Sequence, residues 1–261
     1  MNQMVVDPAN VTASFEESNL LRTLREKDAG HLRPFAEAIR LNAGTVLYEP
    51  GDIVRFAYFP CAAAVVSFVV LLQDGRTVEA GIVGREGAVG GIVSQGQLPA
   101  YCRAEVQIGG PFLRIETAAI ERAKLQSPVL NHLFARYADC LLAQMLQSVA
   151  CNAAHSIEQR TAKWLLAALD RTGGTEVLLT QEQMAGMLGV GRSYMSRVIH
   201  ALKASGTLNT RRGKLMVNDA AGLRRLSCEC NESLKRHFET VLRGVYPSED
   251  DPALEKGSAG R

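Results

Sequence analysis

Residues 180–206 read TQEQMAGMLGVGRSYMSRVIHALKASG, a pattern of two short helices joined by a tight turn. Thr180 can cap the first helix, and Gln183 completes a capping box that satisfies two otherwise unpaired amides. Met184, Ala185 and Leu188 give that helix one apolar face. Gly189-Val190-Gly191 then breaks it, because glycine accepts turn dihedrals that a side chain resists. The second helix buries Met195, Val198, Ile199 and Leu202 at a 3.6-residue period and stops at Ser205-Gly206. Left outside are Arg192, Ser193, Ser196, Arg197 and His200, on the first turns of the helix that enters the major groove in a helix-turn-helix.

The following residues, TLNTRRGKLMV at 207–217, read as two strands around a turn at Gly213. A hairpin directly after a recognition helix is a wing. Residues 155–215 carry nine Lys and Arg against four Asp and Glu, whereas the whole chain is only +2. Positive charge thus concentrates on the motif, the electrostatic footprint of a nucleic-acid binder. Arg192, Ser193, Ser196 and Arg197 are expected to read base edges, since arginine matches guanine O6 and N7 and serine reaches an edge or a phosphate. Thr180, Gln181 and Tyr194 at the helix starts, with Arg211, Arg212 and Lys214 on the wing, are expected to hold phosphates. The expected partner is double-stranded DNA.

With 47% hydrophobic and 21% charged residues, the 261-residue chain has the composition of a soluble protein of about two domains. Its longest apolar run, Cys61 to Leu72, is valine-rich and too short to span a bilayer. No basic segment followed by an apolar core opens the chain, so a cytoplasmic location is expected. The six scattered cysteines suit reduced thiols better than a disulfide framework. Enzyme readings find no hydrolase elbow, no phosphate-binding P-loop and no framed acid pair.

Upstream, short apolar stretches recur every 8–12 residues with turn signals between them: 45–48, 56–59, 64–72, 77–83, 101–108 and 111–115. That texture predicts an antiparallel jelly roll. Phe15 to Ile39, with leucines at helical spacing, predicts a preceding helical segment interrupted near Gly30 and Pro34. From Ser127 to His155 apolar residues recur at three- and four-residue spacing over a length that outreaches a small domain. Phe134, Tyr137, Leu141 and Met145 are its expected dimer contacts, and a homodimer suits a reader of palindromic sites. The expected class is therefore α+β. Its parts are a sensory jelly roll with an N-terminal helix at 1–126, a dimerisation helix at 127–155, a winged helix-turn-helix at 156–230, and a C-terminal helix and polar tail at 231–261.

This order resembles the CRP/FNR family of bacterial transcription regulators. The resemblance rests on Glu49-Pro50-Gly51-Asp52, on Gly84 to Gly91, and above all on Leu179 to Leu208. It implies a DNA-binding homodimer whose residues at Arg192, Ser193 and Arg197 face operator bases, with RNA polymerase a further partner if it activates. Ser193 stands where a glutamate would accept from cytosine, so no operator sequence carries over. Cyclic-nucleotide members anchor the ligand with glutamate and arginine. Here Gly91, Leu98 and Pro99 occupy those places, so the effector is expected to be something other than cyclic AMP, or none. Glu86, Gly90, Gly91 and Arg103 are what remains as an effector pocket.

No cofactor is expected. Cys228-Glu229-Cys230 has only His237 close to it in sequence, and no metal site is expected. The competing reading is a cyclic-nucleotide- or redox-responsive module whose helix-turn-helix serves mainly as a protein interaction surface.

Overall fold

A computed structural model describes residues 13–75, 77–92 and 98–246. The expected N-terminal arm up to residue 12 and the polar tail after residue 246 lie outside them. The chain begins with compact turns, including a 3₁₀ turn at Leu21–Thr23, helix α1 (Glu26–Ala29) and a second 3₁₀ turn at Arg33–Phe35. Strands β1 (Glu37–Leu41), β2 (Val46–Tyr48), β3 (Phe56–Pro60), β4 (Val65–Leu71), β5 (Thr77–Val83), β6 (Arg103–Ile108) and β7 (Gly110–Glu116) follow. Helices α2 (Thr117–Gln126), α3 (Pro128–Ala154) and α4 (Ile157–Thr172) then lead to β8 (Glu176–Val177). The chain continues through α5 (Gln181–Leu188), α6 (Arg192–Ala204), β9 (Leu208–Arg211), β10 (Lys214–Val217), α7 (Ala220–Leu226) and α8 (Cys230–Arg243).

The helical reading of 15–39, interrupted near Gly30 and Pro34, is borne out only by the four-residue α1 and two 3₁₀ turns. The backbone is extended at Leu24 and Arg25 and the chain re-enters only short turns after them, so the leucines act as separate anchors: Leu20, Leu21, Leu24 and Leu32 are all buried. The segment ends as strand β1, whose buried Ile39 and Leu41 alternate with exposed Ala38 and Arg40. Helix α2 also lies where sequence patterning pointed to no element.

Two antiparallel sheets, ordered β1-β7-β3 and β2-β6-β4-β5, form a sandwich. Ile39, Tyr58 and Phe112 from the first meet Val66, Val83 and Val106 from the second. The first sheet is covered on its other face too, where Phe59, Leu113 and Ile115 pack on the N-terminal turns, α2 and α3. That double burial is why β3 and β7 read as nearly continuous apolar runs. The second sheet turns Val65, Ile82 and Ile108 toward the core of the C-terminal domain, which holds Trp164, Met184 and Met195. Gly90 marks a close approach. Its φ is 118°, and a Cβ there would lie 2.4 Å from the Phe56 carbonyl oxygen.

Helix α3 lies along the sandwich. Tyr137 is buried and donates its hydroxyl to the Ala88 carbonyl at 3.0 Å, its ring filling the space over Gly87. Helix α8 returns along α3. Phe238 meets the Tyr137 ring edge-on at 6.5 Å between centroids, and the Tyr246 hydroxyl donates to Asp28 at 2.8 Å. The C-terminal segment thereby ties the last domain back to the first.

A half-buried carboxylate links the domains. Glu79 on β5 accepts from the Ser67 hydroxyl at 2.6 Å and from the Trp164 indole of α4 at 3.0 Å. Burial raises its carboxyl to about 7, against the opposing pull of these two bonds and of the Lys163 and Arg171 charges. The unfolded carboxyl titrates near 4.5, so the folded chain binds the extra proton more tightly. This group's penalty is absent below about pH 4.5 and grows as pH rises through about 7, to at most about 3 kcal/mol. Glu79→Gln removes the charge and retains both contacts, its amide oxygen accepting from Trp164 and its NH₂ donating to the Ser67 hydroxyl oxygen. Its Tm should therefore overtake that of the unmodified chain between about pH 5 and about pH 8; parallel Tm–pH curves would contradict this.

Candidate nucleic-acid interface

The helix pair forms as its local chemistry requires. The Thr180 hydroxyl accepts from the Gln183 amide at 3.2 Å and the Gln183 side chain accepts from the Thr180 amide at 2.9 Å, closing the capping box. Gly189 ends α5 in the left-handed region at φ 69°, a conformation most side chains resist. Ala185 is buried where α5 and α6 cross, and Met195, Val198, Ile199 and Leu202 are buried beneath α6.

Arg192, Ser193, Ser196 and Arg197 all stand exposed on one side of α6. The Arg197 guanidinium lies over the Tyr194 ring, 5.2 Å from its centroid. That ring is held in turn by its hydroxyl, which donates to Glu158 at 3.3 Å. Tyr194 thus serves as a platform for Arg197, and its hydroxyl is engaged inside the protein instead of free for phosphate. Ser196 donates to Gln181 at 2.9 Å, joining an expected base reader to an expected phosphate contact. The Thr180 hydroxyl is committed to the cap, which leaves backbone amides at the start of α5 for an anion.

The wing is the β9–β10 hairpin, extended by β8 to a three-stranded sheet ordered β8-β10-β9. Arg211 and Arg212 are exposed at its tip. Lys214 is not a free cation, because it forms an ion pair with Glu176 at 2.9 Å. That pairing crosses from β10 to β8, a contact that the hairpin pattern alone does not show.

The four residues expected to form an effector pocket are not brought together. Glu86 pairs with Arg171 of α4 at 2.7 Å and accepts from the Gly84 amide at 3.1 Å. It lines a cleft of about 380 Å³ between the domains, together with Glu79, Gln144, Trp164 and Lys235. Gly90 and Gly91 do not line that cleft, and neither does Arg103. The Arg103 guanidinium donates twice to Glu49, at 2.8 Å each, so its charge is already met. Glu86 and Arg171 form a domain-to-domain link that β-roll patterning could not signal.

The expected dimer contacts divide. Phe134 and Tyr137 are buried in the core of their own subunit, and so cannot face a partner. Leu141 and Met145 are half-buried, with Leu141 packed against that core and Met145 near Gly81. The large apolar side chains that α3 exposes are Leu142, Leu146 and Val149, at 58%, 63% and 69%. Their four- and three-residue spacing is that of a coiled-coil seam.

The neighbours of the Cys228–Cys230 pair are not the ones that sequence proximity suggests. His237 is exposed, away from Cys228 and Cys230. Cys151 and His155, from the end of α3, meet the two cysteines instead, and the four ligand atoms lie within 4.8 Å of one another. No helix among the described residues is long and apolar enough to cross a membrane.

Residues 159–226 match the Crp-like helix-turn-helix domain family. No curated relative matches the chain. Solved structures of similar fold include FixK2 from Bradyrhizobium japonicum, 17% identical with a TM-score of 0.62, covering 74% of this chain and 98% of that one. TTHB099, a CRP-family transcriptional regulator from Thermus thermophilus, is 22% identical with a TM-score of 0.60 and coverages of 72% and 95%. CLP, the c-di-GMP responsive global regulator of Xanthomonas campestris, is 16% identical with a TM-score of 0.58 and coverages of 75% and 100%. The chain therefore shares the fold of these CRP/FNR-type structures, and its residues 159–226 form a Crp-like helix-turn-helix domain.

Proposed function

We propose that this chain is a sequence-specific DNA-binding transcription regulator that acts as a homodimer in the cytoplasm. The observation that carries the reading is the α6 surface, where two arginines and two serines stand exposed on a helix whose opposite face is fully buried. Dimerisation is supported by the exposed leucine and valine seam on α3, which a monomer would leave in water. Two recognition helices held by that seam suit half-sites about one helical turn apart. Cyclic AMP is not the expected effector. The glycine segment that would cradle a phosphate is covered at Gly87 by Tyr137, and Arg103 is neutralised by Glu49. If the protein activates, RNA polymerase would be its other partner.

The test is binding of the full-length chain to duplex DNA at two salt concentrations, beside its mass in solution. Salt-sensitive binding by a dimer supports the reading. Absence of binding at low salt, with and without cyclic nucleotides, would favour the protein-interaction reading instead. The wing supplies a further check. Arg212 is exposed at the tip, so Arg212→Ala should weaken binding to all sequences alike and reduce the log–log salt slope by about 1. An unchanged slope would remove the wing tip from the phosphate contacts. Lys214→Ala should change the slope less, because Glu176 already balances that charge.

A further inference from the structure

Cys151 lies on the last turn of α3, and His155, four residues on, caps that helix with its amide donating to the Cys151 carbonyl at 3.1 Å, which brings both side chains to the same end of α3. Cys228 and Cys230 flank the start of α8. The Cys151 and Cys228 sulfurs are 3.7 Å apart, and the Cys230 sulfur is 3.5 Å from His155 Nδ1. A tetrahedral zinc ion with sulfur at about 2.3 Å and nitrogen at about 2.1 Å sets edges of about 3.8 Å and about 3.6 Å. These two separations match two of the six edges of such a tetrahedron, and all four ligand atoms lie within 4.8 Å of one another.

Polar groups, and no apolar shell, surround the sulfurs. The three cysteines form a buried cluster of their own, with no aliphatic or aromatic member, so hydrophobic packing alone does not account for them. Lys163 Nζ donates to Cys151 at 3.4 Å and Gln147 donates to Cys230 at 3.1 Å. The other ring nitrogen of His155 faces the Glu229 carboxylate at 3.7 Å, the outer partner that metal-bound histidines commonly have. Three thiolates and one Zn²⁺ leave a charge of −1, which Lys163 offsets.

We infer that Cys151, His155, Cys228 and Cys230 form a Cys₃His site for one zinc ion at the hinge between the two domains. Helix α3 ends at Ala154 and α4 begins at Ile157, so His155 sits in the two-residue hinge itself. The ion would staple that hinge to the segment leaving the winged domain, fixing the angle at which α4 departs from α3. A mixed sulfur and nitrogen tetrahedron with no open position favours zinc in a structural role.

The test uses the full-length chain purified in reducing buffer without added metal. One zinc per chain is expected by elemental analysis. Replacement by Co²⁺ should give a sulfur-to-cobalt charge-transfer band and the intense visible bands of tetrahedral cobalt. Cys151→Ser with Cys228→Ser should lose the metal, whereas Cys102→Ser should keep it. Chelation should lower the Tm of the unmodified chain by at least about 5 °C and leave the double variant unmoved. If the double variant fails to fold, the zinc content and cobalt spectrum of the unmodified chain decide. A chain without zinc that also ignores added Zn²⁺ and Co²⁺ would overturn the inference. So would a Cys151–Cys228 disulfide in reducing buffer, an iron–sulfur chromophore, or equal metal loss in Cys102→Ser. The site stands apart from DNA binding: a zinc-loaded chain that ignores DNA would sink the proposed function and leave the metal site in place.

Discussion

Arg197→Ala should lower affinity for the protein's preferred site by about 1–3 kcal/mol, roughly 5- to 150-fold, while binding to random DNA falls far less. The size follows from what is removed. Arg197 is exposed on the second turn of α6 and rests on the Tyr194 ring. Glu158 holds that ring through its hydroxyl, so less side-chain entropy is lost on docking than for an arginine free in water. A guanidinium so placed can give two parallel donors to guanine, which alanine cannot replace. Preference should relax at one base pair of each half-site. Competition binding with single-base variants of the site measures this. Equal losses on preferred and random DNA would make Arg197 a phosphate contact and not a base reader.

A larger loss is expected from the α3 seam. Leu142→Asp with Leu146→Asp places two carboxylates where the account puts an apolar interface. Both positions are exposed in the single chain, so folding should be unaffected and the circular dichroism unchanged. Charges buried without partners oppose association strongly, and the variant should run as a monomer in light scattering. Its DNA affinity should fall at least about 100-fold, because the second half-site is no longer held at high effective concentration. Phe134→Ala would be a misleading probe of the same idea. Phe134 is buried in its own subunit, so its loss would destabilise the fold whatever the oligomeric state. A double variant that remains dimeric would place the subunit contact elsewhere.

What could be read from the sequence was local chemistry. The capping box at Thr180, the left-handed Gly189 and the 3.6-residue stripe of α6 involve neighbours within a few residues, and so the helix pair was legible residue by residue. Strands β3 to β7 were legible from turn signals and apolar runs. The region from Phe15 to Ile39 was not, because leucines that anchor separate turns have the same spacing as a helix face. Helix α3 posed a different difficulty. It is apolar on several sides, and only the packed sandwich determines that Tyr137 points inward while Leu146 points out. Cys228 and Cys230 were visible as a pair, but Cys151 stands 77 residues earlier. Long-range proximity of that kind comes from α8 folding back along α3. Likewise, Lys214 and Arg103 looked like free cations until Glu176 and Glu49 were placed beside them.

A dimer of this chain should read DNA sequence through α6, and selection from a pool of random duplexes measures that reading. The full-length protein should enrich a pseudo-palindrome whose half-sites lie about 10 base pairs apart, centre to centre. Arg197→Ala should broaden the enriched sequence at one position of each half. A pool that stays random after repeated rounds at low salt, in protein that is folded and dimeric, would contradict the account.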